Sequence, residues 1–145
     1  MFFKSGAVQI RFRDALVEKN TIYSGADFER TWRMVLVTGK GNNTKIRSNS
    51  FIGSSSHGIF TPILLTAIKN GQNVRIEKNI FSGVASTSIS VLGKGINLTI
   101  KDNKQELRMI VINDKPKSLN GFKDLEKGAK DIEKRNSGAD VVFKF

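Results

Sequence analysis

Apolar and polar positions alternate in short bursts along most of the chain, and the bursts recur. Val35/Val37 then Thr44/Ile46, Leu65/Ala67 then Val74/Ile76, and Ile89/Val91 then Leu98/Ile100 repeat one pattern. Each pair sets apolar or β-branched residues at period two, the mark of a half-buried β-strand. A glycine and an asparagine separate the two strands of each unit: Gly41 and Asn43, Gly71 and Asn73, Gly95 and Asn97. Those residues signal a tight turn. The second strand ends at Asn49, Asn79 or Asn103, and an apolar element follows the first two of these, Phe51 with Gly53 and Phe81 with Gly83. A weaker copy precedes them, with Asp14, Val17 and Asn20 in register and Ile22 and Gly25 behind.

The closing asparagines, Asn20, Asn49, Asn79 and Asn103, lie 29, 30 and 24 residues apart. A constant motif at uneven spacing means insertions at one corner of a fixed unit, and repeats of this length point to a solenoid. Equivalent residues in stacked strands lie about 4.8 Å apart. An amide both donates and accepts, so the four asparagines are expected to hydrogen-bond as a ladder along the stack. The asparagine is also expected to take the left-handed backbone of the bend. Phe51 is expected to stack over Phe81 inside the coil.

The repeats end near residue 115. Met109-Ile110-Val111-Ile112 reads as one more strand, and Pro116 breaks the pattern. Leu119, Phe122, Leu125, Ala129 and Ile132 then recur at three and four, which predicts an amphipathic helix over 119–134. Ala139–Phe145 reads as a closing strand. The chain thus divides into repeats over 1–115 and a C-terminal cap over 116–145. No comparable cap precedes Val8 and Ile10, so a homo-oligomer through the N-terminal end is an expectation.

Composition narrows the chemistry. Without cysteine there is no disulfide, zinc-thiolate site or cysteine nucleophile, and His57 is the single histidine. The start of the chain shows no signal peptide, and no run approaches the roughly 18 apolar residues that span a bilayer. The expectation is a soluble chain, with an extracellular or virion setting if it is a fragment. Twenty-four basic residues against 13 acidic ones give a net charge of +11. Up to Lys115 there are 17 basic and 8 acidic residues, so most of the excess lies on the repeats. Such a surface attracts polyanions, unless it is merely well solvated.

The succession apolar-x-Ile-x-x-Asn-x-Phe followed by Gly, carried between roughly Val8 and Val111, resembles the repeat of the pectate-lyase-like superfamily. The resemblance implies a right-handed parallel β-helix, here an all-β solenoid of about four to five turns with a capping helix and strand. It implies no single activity, because the superfamily includes polysaccharide lyases, glycoside hydrolases, sugar epimerases and phage tailspikes. Its full-length enzymes carry many more turns. The expectation is therefore a fragment, a diverged remnant or one small module of a larger assembly.

The family's lyases neutralise a uronate carboxylate with calcium or basic side chains and remove the neighbouring proton with Lys or Arg. Asp27 and Glu29 are the only close acidic pair in the repeats, so neither a metal nor any other cofactor is expected. Cations are plentiful. Arg11, Lys40 and Lys94 share one repeat position, with Asn70 between the last two, and should form a column. Arg30 and Arg33 flank Trp32 in the first long corner insertion. Trp32 either stacks on a sugar face or covers the core. His57 lies in a Ser-rich loop after the corner. The candidate substrate-binding residues are thus Arg30, Trp32, Arg33, Lys40, His57 and Lys94, with no catalytic residue identifiable. The function expected is a carbohydrate-binding or carbohydrate-processing module, lyase-like if catalytic, with acidic polysaccharide as the favoured partner. The alternative is a non-catalytic structural or adhesive module, such as part of a tailspike or surface fibre. Nucleic acid ranks last, for want of an aromatic-rich RNA motif or a DNA-reading helix.

Overall fold

Period-two alternation becomes strands that stack turn upon turn. The computed structural model describes residues 8–23, 32–39, 42–53, 60–66, 71–83 and 87–145, and only the backbone of Trp32, Arg33, Phe60 and Leu107. The first turn lays down β1 (Val8–Ile10), β2 (Leu16–Glu18) and β3 (Thr21–Tyr23). The second supplies β4 (Trp32–Thr38), β5 (Thr44–Arg47) and β6 (Ser50–Ile52). Next come β7 (Phe60–Thr66), β8 (Asn73–Glu77) and β9 (Ile80–Ser82), then β10 (Thr87–Leu92), β11 (Asn97–Lys101) and β12 (Lys104–Ile112). Strands pair in parallel with their counterparts one turn away, giving a β-solenoid of about four turns.

The second strands form one sheet in the order β13-β11-β8-β5-β2, where β13 is Ser118–Leu119. The first and third strands form another, joined through β12. Lys104 and Gln105 pair with Ile80 and Phe81 of β9, while Met109–Ile112 pair with β10. The stretch of chain between third and first strands therefore shortens along the stack, from eight residues between β3 and β4 to seven between β6 and β7 and four between β9 and β10. In β12 the two pairing stretches are no longer distinct strands. Trp32 and Arg33 belong to β4, paired with Phe60 and Thr61, and not to the corner insertion the sequence suggested. The apolar period simply begins earlier than Val35.

Inward residues line up in columns. In the five-stranded sheet Val17, Ile46, Ile76 and Ile100 form one, all buried. Val35, Ile63, Ile89 and Ile110 form another in the opposing sheet, and Val37, Leu65, Val91 and Ile112 a third. At the third side Phe51 stacks on Phe81 with ring centroids 5.1 Å apart and planes 11° from parallel. Each such side chain, fully buried, contributes roughly 1.5–3 kcal/mol.

A polar column runs through this apolar stack. The backbone N–H and Nδ2 of Asn20 both donate to Asn49 Oδ1 at 3.0 Å. Asn49 donates in the same way to Asn79 Oδ1, and Asn79 to Asn103 Oδ1, at 2.9–3.0 Å. The second Nδ2 proton goes back to the core column: Asn49 to Val17 O, Asn79 to Ile46 O, Asn103 to Ile76 O. Asn49, Asn79 and Asn103 are buried. The left-handed backbone is not theirs. It belongs to the residue before each, Lys19, Ser48, Lys78 and Asp102, with φ of 55–57°. Bend and amide are thus divided between neighbours, because the asparagine's own N–H must point along the stack to meet the next Oδ1.

The cap continues the ladder. Asn103 donates through its backbone N–H and Nδ2 to Asn136 Oδ1 at 3.0 and 2.8 Å, and Asn136 donates to Ile100 O at 3.1 Å. Asn136 is the C-cap of α1 (Leu125–Arg135), so the helix stands where the rest of the last turn's second strand, begun by β13, would run. It starts at Leu125, not near 119. Leu119 instead extends the five-stranded sheet against Leu98, and Asn120 and Gly121 turn the chain with positive φ. Asp124 then caps the helix by accepting from the N–H groups of Glu126 and Lys127. Gly128 sits where a Cβ would lie 2.5 Å from Leu119 Cβ and 2.7 Å from its carbonyl oxygen. The glycine that weakens the helical pattern is what lets α1 close on the sheet. β14 (Ser137–Phe143) then pairs with β12.

Three substitutions test this geometry through stability. Asn79→Ala deprives the buried backbone N–H of Asn49 of its acceptor and leaves a gap in the ladder, so urea unfolding should show a loss of about 2–3 kcal/mol. Asn20→Ala, at an exposed position, should lose under about 1 kcal/mol. Gly128→Ala should lower the unfolding free energy by about 1–2 kcal/mol although alanine is the better helix former, because overpacking outweighs propensity.

Candidate functional site

The same alternation that fills the core decides what the five-stranded sheet presents outward. Three columns cross its outer face. The first is Asp14, Asn43, Asn73, Asn97 and Ser118, linked side chain to side chain. Asn43 Nδ2 donates to Asp14 Oδ1 at 3.0 Å, Asn73 Nδ2 to Asn43 Oδ1 at 3.3 Å and Asn97 Nδ2 to Asn73 Oδ1 at 3.1 Å. Ser118 Oγ donates to Asn97 Oδ1 at 2.9 Å. This second amide ladder is exposed and its donors point the opposite way along the stack.

The third column alternates in charge: Glu18, Arg47, Glu77, Lys101. Arg47 Nε lies 2.8 Å from Glu18 Oε1, and Lys101 Nζ lies 3.5 Å from Glu77 Oε1. Between these columns runs Leu16, Lys45, Arg75, Thr99. Lys45 and Arg75 are direct cross-strand partners, both exposed, and neither is paired with a carboxylate among the described residues. Adjacent like charges destabilise a strand pair. An open cleft of about 610 Å³ lies here, lined by Asp14, Asn43, Lys45, Asn73, Arg75 and Thr99 among others. It sets two uncompensated cations beside a row of amides that donate and accept. That arrangement suits an anionic group on a ligand that also carries hydroxyls.

Lys45 and Arg75 were not among the sequence candidates, although a signal for them existed. Each lies between two buried β-branched or apolar residues, Thr44 and Ile46 or Val74 and Ile76. Period two turns both outward, and the repeat register aligns them. Of the residues the sequence did nominate, Arg30, Lys40 and His57 lie outside the described residues, as does Asn70. Trp32 and Arg33 stand at the start of β4, away from the five-stranded sheet. Lys94 is exposed at the corner between β10 and β11, where it shares a second open cleft with Asp114, Lys115, Lys117 and Phe145. Arg11 follows β1 and donates to Gln9 Oε1 at 3.1 Å.

Among the described residues one cation is internal. Arg108, buried in the stretch of β12 that bridges the two sheet halves, donates to the carbonyl of Gly83. Burial lowers its pKa from the ordinary arginine value, while Glu106 opposes the shift. It serves the backbone and faces no cleft described above. Among the described residues no group of three or more His, Cys, Asp or Glu could hold a metal ion. None of their helices is long and apolar enough to cross a membrane. Comparison with protein-family models, with curated proteins and with solved structures finds no match.

Proposed function

We propose that this chain is a carbohydrate-binding β-solenoid module, and that it holds an acidic polysaccharide on the outer face of the five-stranded sheet. The observation that carries the reading is the unpaired Lys45–Arg75 couple beside the exposed amide ladder. A carboxylate or sulfate between the two cations relieves their repulsion and gains charge-assisted hydrogen bonds, Arg75 offering its planar fork. Asn43, Asn73 and Asn97 match sugar hydroxyls, which also donate and accept. The net charge of +11 draws such a polymer to the surface.

The same face argues against nucleic acid as the preferred ligand. Single strands are held by bases stacked on aromatic rings, and the three columns contain no aromatic residue. It also argues against hydrolysis by a facing acid pair, since Asp14 is the single carboxylate lining the cleft. The runner-up, a non-catalytic structural or adhesive module, rests on that same lack of a facing acid pair.

Titration calorimetry with a polyuronate, a sulfated glycan, a neutral glucan and single-stranded DNA tests the reading. The acidic glycans should bind, more weakly as salt rises, and the neutral glucan should not. Arg75→Ala should weaken polyuronate binding at least about tenfold. Lys45→Glu should do the same while leaving stability equal or higher by about 0.5 kcal/mol, since it creates an opposite-charge pair with Arg75. Equal binding of both variants and wild type, or equal binding of neutral glucan, would overturn the assignment.

A further inference from the structure

β14 is the last strand on its side of β12, and its outer edge meets no other strand among the described residues. An edge of this kind is a template for pairing with another chain. In a parallel ladder alternate residues bond the same neighbour. Lys144 N–H donates inward to Ile112 O at 2.9 Å, so Ala139, Val141 and Phe143 turn their N–H groups to the outer side. Two of these three groups are already engaged by the chain's own cap. Ala139 N–H donates to Asn136 O at 3.2 Å, and Val141 N–H donates to Glu133 Oε1 at 3.1 Å.

Glu133 stands in the last turn of α1, where the helix dipole disfavours a negative charge. It makes no ion pair among the described residues. Neither helix electrostatics nor a cationic partner accounts for it, whereas the N–H of Val141 does. We propose that Glu133 is an edge guard: its carboxylate occupies an outward N–H of β14 and so withholds that edge from a second copy of this chain. The occupant excluded is a second copy because the half-buried Val141, Val142 and Phe143 offer an apolar, self-complementary strand, which two copies can align antiparallel. The inference is independent of the glycan reading.

Glu133→Ala and Glu133→Gln separate the guard from a mere structural role. Glu133→Gln keeps an acceptor at Oε1, and Glu133→Ala removes it. Sedimentation velocity over a concentration series should show Glu133→Ala associating more than wild type, with Glu133→Gln close to wild type. At dilutions where the alanine variant is still monomeric, hydrogen exchange should show its Val141 amide exchanging roughly tenfold faster than in wild type. Adding Val141→Pro to Glu133→Ala deletes the donor, and proline is tolerated on edge strands, so the double variant should return to the wild-type mass. The proposal is overturned if Glu133→Ala sediments as wild type at every concentration, or if Val141 exchange is unchanged. It is equally overturned if the double variant associates as strongly as Glu133→Ala, which would trace association to another surface.

Discussion

The buried ladder of Asn49, Asn79 and Asn103 is the constraint on which the other features of this solenoid depend. Apolar burial supplies most of the driving force, but columns of Val and Ile are nearly interchangeable and would stay buried in a slip of two residues, which keeps the same face inward. The amides would not tolerate it. Such a shift would turn an asparagine that donates to an Oδ1 and to a core carbonyl into a buried group without partners, costing about 1–3 kcal/mol for each stranded group. Because each asparagine reaches both the next turn and a carbonyl such as Val17 O, Ile46 O or Ile76 O, it fixes the axial and lateral position of its coil together. The bend itself rests on the residue before, which adopts left-handed backbone at a cost of about 1 kcal/mol.

The outer face inherits its order from that register. With coils locked, Asn43, Asn73 and Asn97 meet as a second ladder, and the charges of Glu18, Arg47, Glu77 and Lys101 fall into neutralising pairs. Only then does the couple of Lys45 and Arg75 stand out as uncompensated. A slip of one turn would set Lys45 opposite another group and erase the feature. The proposed binding face and the buried ladder are therefore two readouts of one alignment. The cap belongs to it as well, since Asn136 receives from Asn103 and positions β14, whose edge Glu133 covers.

Much of the coil is legible in the sequence. The alternation of Val74 and Ile76 or Leu98 and Ile100, the recurring asparagines and the Phe51–Phe81 stack all read directly, since each repeats at one register. Asn136 does not read as part of the ladder because a helix, rather than a strand, precedes it and the spacing from Asn103 is 33 residues. The helix start is misplaced because Leu119 satisfies a helical period and a strand column alike, and its contact with Leu98 decides between them. Charge count directs attention to the conspicuous corner cations such as Lys94, whereas Lys45 and Arg75 matter only through what fails to neutralise them. That is a property of cross-strand pairing, which a linear reading of residues holds only once the register is known.

Native-state hydrogen exchange of the backbone amides of Asn49, Asn79 and Asn103, followed against urea and compared with Ile132 of α1, tests the ladder most directly. If the ladder binds coils and cap into one cooperative unit, all four amides exchange only through global unfolding and share one urea dependence. Exchange of the asparagine amides through local openings insensitive to urea, or of Ile132 well before them, would show that the coils are held by apolar packing alone.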